Sequence, residues 1–491
     1  MSIINIVNMN FAYDDGILLF SDVSLQIDTR WKLGLIGRNG RGKTTLLRLM
    51  LGDFECSGKM EVPVPVEYFP YDISDKNLPT LKIAAQFVDF ETWQLECELS
   101  LLEISDDVLE RSFETLSGGE QTKVMLAVLF LNDSRFLLID EPTNHLDLEG
   151  RTIVGNYLSK KKGFILVSHD SALLDKSVDH ILSINRGGIE LTQGNFSSWQ
   201  CNQNYREQCE QTKNHQLKKD IRRLRESSRQ LTEWSNNAEK EKYGHGPVDR
   251  GFIGSKAAKI MKHAKSADNR KQQAIEQKQL LFKNTEIAEK LSITPVYFHS
   301  QRLINLENFF VQYNETAIFD GVTFSVDVGD RVAVYGRNGC GKSSLLKLIA
   351  GQNIPYQGHC RVPKNLKISY LPQDVSFLQG DIKDFITQHQ IDESLLRAIL
   401  HKLGFLNDDY ENDMSGFSAG QKKKVLLAVN LCEQSHLYLW DEPLNYIDII
   451  SRTQIMNLLL ESQPTIIFVE HDKTFLETIA TKKIELHRNQ L

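Results

Sequence analysis

The chain has 491 residues, 41% hydrophobic and 25% charged, a globular balance that excludes disordered, collagen-like and disulfide-dense classes. It contains no run of 18 or more apolar residues, which excludes a membrane-spanning helix. The net charge of −7 is unevenly spread: residues 201–292 hold 20 Lys/Arg against 12 Asp/Glu, a net of +8, and the remainder carries −15.

In chain order, the N-terminus MSIINIVNMNFAYDD has no basic leader or cleavage site, so no export is expected. The seven cysteines are odd in number and form no C-x-x-C pair, as in thiols of a reducing cytosol. The first apolar strand, Lys32–Ile36, runs into GRNGRGKT at 37–44 and then a helix, TTLLRLML. Such a loop needs glycines so that backbone N–H groups can wrap phosphate oxygens at a helix N-terminus. Lys43 would neutralise the β/γ-phosphates and Thr44 would offer its hydroxyl to Mg²⁺. LSGGEQ at 116–121 opens another helix, 23 residues before Asp140. Apolar runs Phe136–Asp140 and Gly163–Ser168 are expected to be buried strands. Asp140 is placed to hold Mg²⁺ through water, Glu141 to polarise an attacking water, and His169 to meet the γ-phosphate.

From about Gln200 to Ala238 and from about Ser255 to Lys290 the chain is polar, proline-free and made of helix formers. Leu217, Ile221, Leu224, Ser228 and Leu231 recur at 4,3,4,3 spacing, with a smaller seam at Ile260, Ala264, Ala267, Ala274 and Leu281. This predicts a two-helix antiparallel hairpin carrying a tip loop at about 239–255 roughly 50–60 Å from its base. Its positive charge suits a polyanion or a solvated helix pair.

Beyond it the first third returns. GRNGCGKS at 336–343 repeats the phosphate loop with Lys43 and Lys342 offset by 299, while YLWDEP and VEHD follow at offsets of 301 and 302. Strands Arg331–Tyr335, Leu437–Asp441 and Thr465–Glu470 are expected, with Lys342, Ser343, Asp441, Glu442 and His471 in the matching roles. FSAGQK at 417–422 repeats the serine-opened helix. Two α/β domains, 1–199 and 300–491, with largely parallel sheets, flank a 200–299 linker.

The order Tyr13, GRNGRGKT, LSGGEQ, LLIDEP, NHLD and His169, repeated in the second copy, resembles tandem ATP-binding cassettes. That resemblance implies ATP and Mg²⁺ as cofactors and head-to-tail pairing, so that each ATP lies between the phosphate loop of one cassette and the signature of the other. One site would join Lys43, Glu141 and His169 with Ser418, Ala419, Gly420 and Gln421. The other would join Lys342, Glu442 and His471 with Ser117, Gly118, Gly119 and Glu120. ATP would be held by Gly37, Arg38, Asn39, Gly40, Arg41, Gly42, Lys43, Thr44 and Thr45 in one loop. In the other it would be held by Gly336, Arg337, Asn338, Gly339, Cys340, Gly341, Lys342, Ser343 and Ser344. Tyr13 and Tyr313 would stack on adenine, Asp147 and Asp448 would be the D-loop acids, and Gln373 would join the metal set. Two departures stand out: Tyr71 occupies the position of Gln373 in the first copy, and Ala419 replaces a signature glycine. They leave open whether the two sites hydrolyse equally.

Tandem cassettes around a charged helical linker resemble the ABC-F translation factors, and WKLGLIGRNGRGKTTLLRL, FSAGQKKKV and WDEPLNYID are similar to the Lsa-type resistance group within it. The resemblance implies a cytoplasmic monomer that needs no protein partner or membrane. It would bind the ribosome, contacting rRNA and peptidyl tRNA at the tRNA exit site, and counter lincosamides, streptogramin A and pleuromutilins. Lys242, Tyr243, His245, Val248, Phe252 and Ile253 of the tip would then act near the drug site, although Tyr243 and Phe252 could equally pack the hairpin end. A general ABC-F translation factor is the alternative. A fused importer ATPase would have a short linker, and a chromosome-structuring ATPase would carry its coil inside one cassette.

Overall fold

A computed structural model of the chain describes residues 2–13, 18–132, 134–144, 146–185, 188–240, 291, 293, 295–313, 316–405 and 408–487. Both copies of the repeat form one compact unit, Met1–Trp199 with Ala288–Leu491, and Gln200–Ile287 form a second.

The first copy contributes β1 (Ile3–Ala12), β2 (Leu18–Asp28), β3 (Lys32–Gly37), β4 (Ser57–Glu61), β5 (Val66–Phe69), β6 (Phe136–Asp140), β7 (Phe164–Val167), β8 (His180–Asn185) and β9 (Gly188–Gln193). The main sheet runs β5-β6-β7-β3-β8-β9, parallel except for the antiparallel edge strand β9. Its apolar runs are continuous because both faces are covered. Leu137, Ile139 and Leu166 face a helical layer that includes Val124, Leu126 and Val128. Leu138, Ile165 and Val167 face the other way, onto Ile4, Ile6 and Met9 of β1 and Leu46, Leu47 and Met50 of the phosphate-loop helix. Each of these side chains contributes roughly 1.5–3 kcal/mol on burial, so the loop stands on rigid material.

The second copy repeats the plan with β10 (Arg302–Tyr313), β11 (Thr316–Ala317), β12 (Val322–Asp327), β13 (Arg331–Tyr335), β14 (Tyr356–Arg361), β15 (Ile368–Leu371), β16 (Leu437–Asp441), β17 (Ile466–Val469) and β18 (Lys482–Glu485). Its parallel sheet runs β15-β16-β17-β13-β18. The expected strands and the parallel α/β core are therefore present in both copies.

Each copy also has an antiparallel sheet that the sequence did not announce: β2-β1-β4 in the first, and β10 flanked by β12 and β14 in the second. The reason is a pair of bulges. Asn8 (φ 49°) and Asn308 (φ 45°) sit in the left-handed region, where the pairing register shifts and the apolar alternation loses phase. A Cβ at the facing Gly58 would lie 2.3 Å from the Asn8 carbonyl oxygen, and one at Gly358 would lie 2.2 Å from that of Asn308, so only glycine fits.

The linker's first helix spans Phe196–Lys240, 45 residues or roughly 65 Å at 1.5 Å rise per residue. It starts four residues ahead of the expected Gln200, because Phe196 and Trp199 are buried in the first cassette's core. Of the predicted seam, Ile221 is buried and Leu217 half-buried. The predicted second helix and the tip residues Lys242, Tyr243, His245, Val248, Phe252 and Ile253 lie outside the described residues.

Candidate functional site

β3 ends at Gly37, and the chain turns through Gly40 and Gly42 into the helix Lys43–Leu51. Gly42 (φ 87°) and Gly341 (φ 92°) are the residues before the two phosphate-loop helices. A Cβ at Gly42 would stand 2.6 Å from Leu19 and 2.8 Å from Phe20; one at Gly341 would stand 3.0 Å from Phe319. Neither helix start has a side-chain cap, so its first amides are free of a competing side chain. Lys43 Nζ donates to the carbonyls of Gly37 (2.9 Å) and Arg38 (3.3 Å), and Lys342 Nζ to those of Gly336 (2.8 Å) and Arg337 (2.9 Å), curling each cation over its loop. Burial pushes the Lys43 pKa down, against the pull of Asp448, Glu141 and Asp140.

Tyr13 is 42% exposed, its hydroxyl 2.6 Å from Thr45 Oγ1 and its ring edge-on to Phe11 and Phe54. A ring face beside the phosphate loop suits a purine. Tyr313 ends β10 and pairs with Thr316 of β11.

Asp140 closes β6, where Thr44 Oγ1 donates to its Oδ2 at 2.7 Å; Ser343 likewise donates to Asp441. The Tyr68 hydroxyl also donates to Asp140 Oδ2 at 3.1 Å, and that of Tyr370 lies 3.5 Å from Asp441 Oδ2. These tyrosines were missed, although both stand three residues ahead of the Tyr71/Gln373 pair in EYFPYD and SYLPQD. Glu141 (φ 52°) and Glu442 (φ 49°) both break from the strand in the left-handed region, a strain of about 1 kcal/mol or more built into both copies.

Around the two glutamates the copies diverge. His169 Nε2 lies 3.3 Å from Glu141 Oε1. Burial and the neighbouring Asp140 push the Glu141 pKa up, and burial with Lys43 pushes His169 well down, so near neutrality the imidazole is uncharged and the contact is not an ion pair. Glu442 Oε2 instead accepts from Gln373 Nε2 at 2.7 Å and from the Asn445 amide, with His471 Nε2 3.5 Å from Oε1. Burial pushes Glu442 up, but His471, Gln373 and Lys342 outweigh it and hold the carboxylate below its ordinary pKa. Tyr71 does not occupy the corresponding place: its hydroxyl donates to Glu67 and its ring packs 4.4 Å from Phe87.

The signature serines cap their helices. Ser117 Oγ accepts from Glu120 N at 3.3 Å while Glu120 Oε2 accepts from Ser117 N at 2.7 Å, and Ser418 and Gln421 repeat the exchange at 3.2 and 3.0 Å. This capping box explains why the third residue after the serine is Glu or Gln. Asp147 and Asp448 cap the next helices through Gly150 N and Ser451 N, both at 2.9 Å.

The cassettes meet head to tail. Ser117, Asp147, Lys342, Gln373, Glu442 and His471 line one cavity of about 1500 Å³. At the other junction Asn39 Nδ2 donates to the Tyr446 carbonyl at 2.7 Å, Arg38 Nη1 reaches the Lys402 carbonyl at 3.4 Å, and a Cβ at Gly420 would lie 2.9 Å from Asn39. Between the junctions, Arg151 pairs with Asp170 (3.5 Å) and Arg452 with Asp472 (3.2 Å), and Ser171 Oγ lies 3.3 Å from Thr474 Oγ1. This arginine and aspartate layer, in which Arg452, Asp170 and Asp472 are buried and Arg151 is half-buried, was also missed, since nothing local in LEGR or IISR marks it as internal.

No group of three or more His, Cys, Asp or Glu residues able to hold a metal alone occurs among the described residues. The residues nonetheless fit a hydrated Mg²⁺ shared with a triphosphate. Oxygen donors from Thr44 and Asp140, and from Ser343 and Asp441, suit a hard cation that keeps its waters. Asp441 Oδ1, Glu141 Oε1 and His471 Nε2 are buried without a hydrogen-bond partner, groups that such an ion, its waters and a phosphate would satisfy.

The ABC transporter family pattern matches residues 20–144 and 319–445. The ribosome protection protein VmlR of Bacillus subtilis is 28% identical over 99% of this chain and 87% of its own length. The probable ATP-binding protein YheS of Escherichia coli is 27% identical over 94% of this chain and 75% of its own. A solved structure of an archaeal ribosome recycling factor, aABCE1, with the stalk protein aP1 superposes with a TM-score of 0.62 at 18% identity, covering 97% of this chain and 87% of that one. This last likeness concerns the fold.

Proposed function

Because the chain belongs to the ABC transporter family, in its ABC-F branch of ATPases, we propose that it uses ATP to bind and leave the ribosome, protecting the peptidyl-transferase centre from lincosamide, streptogramin A and pleuromutilin antibiotics. The observation that carries the ATP-driven part is the head-to-tail arrangement, with Ser117 and Lys342 on one cavity and Asn39 against the D-loop carbonyl of Tyr446. A nucleotide bound there would touch both cassettes, so its affinity would be greatest when they are closed.

The phosphate loops would hold the triphosphate through backbone amides, with Lys43 and Lys342 countering its charge. When bound, Mg²⁺ supplies positive charge to the phosphate oxygens. Thr44, Asp140, Ser343 and Asp441 would hold it, and Tyr68 orients Asp140 through its hydroxyl. In hydrolysis the water oxygen bonds to the γ-phosphorus as the bond to the bridging oxygen breaks. ADP leaves with that electron pair, and Glu141 or Glu442 takes the water's proton. ATP binding would fix the linker for ribosome engagement, and hydrolysis would release it.

Two observations support the ribosome. The similar VmlR is a ribosome protection protein, and the linker is basic where the cassettes are acidic, the charge a phosphate backbone would attract. Among the described residues no helix is long and apolar enough to cross a membrane. We infer a cytoplasmic monomer whose cassettes pair within one chain, with Lys242, Tyr243, His245, Val248, Phe252 and Ile253 nearest the drug site. The test is expression in a susceptible, resistance-deleted bacterium against a panel of peptidyl-transferase inhibitors. Raised inhibitory concentrations confined to the three named classes are expected. No change in any of them would leave a general ABC-F translation factor.

A further inference from the structure

The two composite sites are unequal, and both sequence departures fall on the same one. At the site of Lys342 and Ser117, the Gln373 and Asn445 amides fix Glu442 Oε2 from two directions, the first at 2.7 Å. At the site of Lys43 and Ser418, the residue in the place of Gln373 is Tyr71, turned onto Glu67 and Phe87. Among the described residues no side-chain amide donates to the Glu141 carboxylate. The same site receives Ala419 in its signature.

The junctions differ in the same sense. Arg38 is buried against the Lys402 carbonyl and Asn39 is tied to Tyr446, so the first phosphate loop is clamped to the second cassette. Its counterpart Arg337 also reaches the opposite cassette, pairing with Glu149 at 3.3 Å, but its side chain is 78% exposed and stands beside the cavity of about 1500 Å³. A carboxylate held by two amides is pre-organised for proton transfer, and an open cavity lets product leave. A clamped loop beside a glutamate that no side-chain amide orients favours retention over turnover.

We propose that steady-state hydrolysis runs at the site built from the second phosphate loop and the first signature, with Gln373 positioning Glu442, while the Lys43 site holds its nucleotide through repeated turnovers. The proposal rests on the ATPase cycle above and assigns its chemistry to one site. There the water oxygen bonds to the γ-phosphorus, the γ-phosphorus to bridging-oxygen bond breaks with its electrons leaving on ADP, and the water proton passes to Glu442.

The experiment uses the purified full chain without ribosomes, so a failed ribosome assignment cannot imitate a failed site assignment. Steady-state ATP hydrolysis is compared for Glu442→Gln, Glu141→Gln and Gln373→Ala, with nucleotide retained after gel filtration counted by chromatography. Glu442→Gln is expected to lower kcat at least tenfold more than Glu141→Gln. Gln373→Ala, which probes the same site should Glu442→Gln fold poorly, is expected to lower kcat about tenfold with KM changed less than threefold. About one nucleotide per chain should be retained by the wild type. Equal losses in the two glutamate variants, a larger loss in Glu141→Gln, or a Gln373→Ala chain with unchanged kcat overturns the proposal.

Discussion

Replacing Lys424 by Met tests how the second cassette is held together. Lys424 Nζ lies 2.6 Å from Asp448 Oδ2, with side chains 5% and 0% exposed, and also donates to the Leu403 carbonyl at 2.8 Å. Burial alone would raise the Asp448 pKa, but the lysine's charge and hydrogen bond hold it well below the usual carboxylate range. Methionine leaves that carboxylate buried without its cation, a loss of about 3–5 kcal/mol. With a shift of roughly 2–4 °C per kcal/mol for a domain of this size, the melting transition assigned to this cassette should fall by about 6–20 °C. The matching Lys123 donates to the Leu102 carbonyl at 3.1 Å and makes no ion pair with Asp147 among the described residues, so Lys123→Met should cost only about 1–3 kcal/mol. Because the folded pKa of Asp448 is depressed, its contribution is complete above the unfolded value near ~4 and is lost as pH falls below it. In Lys424→Met burial alone raises the Asp448 pKa, so the variant regains stability as pH falls toward about 4, and the gap to wild type should narrow over that range and further below it. Calorimetry and urea titration of both variants across pH measure this. A Lys424→Met loss below about 1 kcal/mol, or one no larger than that of Lys123→Met, would refute the reasoning.

Gly341→Ala should weaken nucleotide binding at least tenfold by fluorescent-ATP titration, because its φ of 92° and the Phe319 ring 3.0 Å away leave no place for a methyl group; unchanged affinity would mean that the loop rearranges freely. Removing the hydroxyl in Tyr68→Phe deprives Asp140 of one donor. It should raise the Mg²⁺ concentration needed for half-maximal ATP binding about threefold to tenfold, and an unshifted titration speaks against an orienting role. Ribosome affinity should fall steeply with salt, and replacing four linker Lys/Arg residues by Gln should flatten the log–log slope by roughly three units. An unaltered slope would place the electrostatic contact elsewhere.

The parallel core and the phosphate loops were legible because their signals are local. Phe136–Asp140 and Phe164–Val167 are unbroken apolar runs, and GRNGRGKT fixes glycines where only glycine fits. β1 was not, since the bulge at Asn8 depends on Gly58, about fifty residues away, giving its backbone room. Tyr68, Arg151 and Arg452 escaped for the same reason: each acts through a partner fixed by tertiary packing, such as Asp140 for Tyr68 or Asp472 for Arg452. Tyr71 was recognisable as a departure. What it does instead, turning onto Glu67 and Phe87, required the fold.

The central claim is that nucleotide-closed cassettes hold the chain on the ribosome, and co-sedimentation of the Glu141→Gln/Glu442→Gln chain with purified ribosomes tests it most directly. In ATP the double variant should pellet with ribosomes nearly stoichiometrically, and with ADP or no nucleotide it should stay in the supernatant. Equal partitioning in all three conditions, or no pelleting in ATP, contradicts the account.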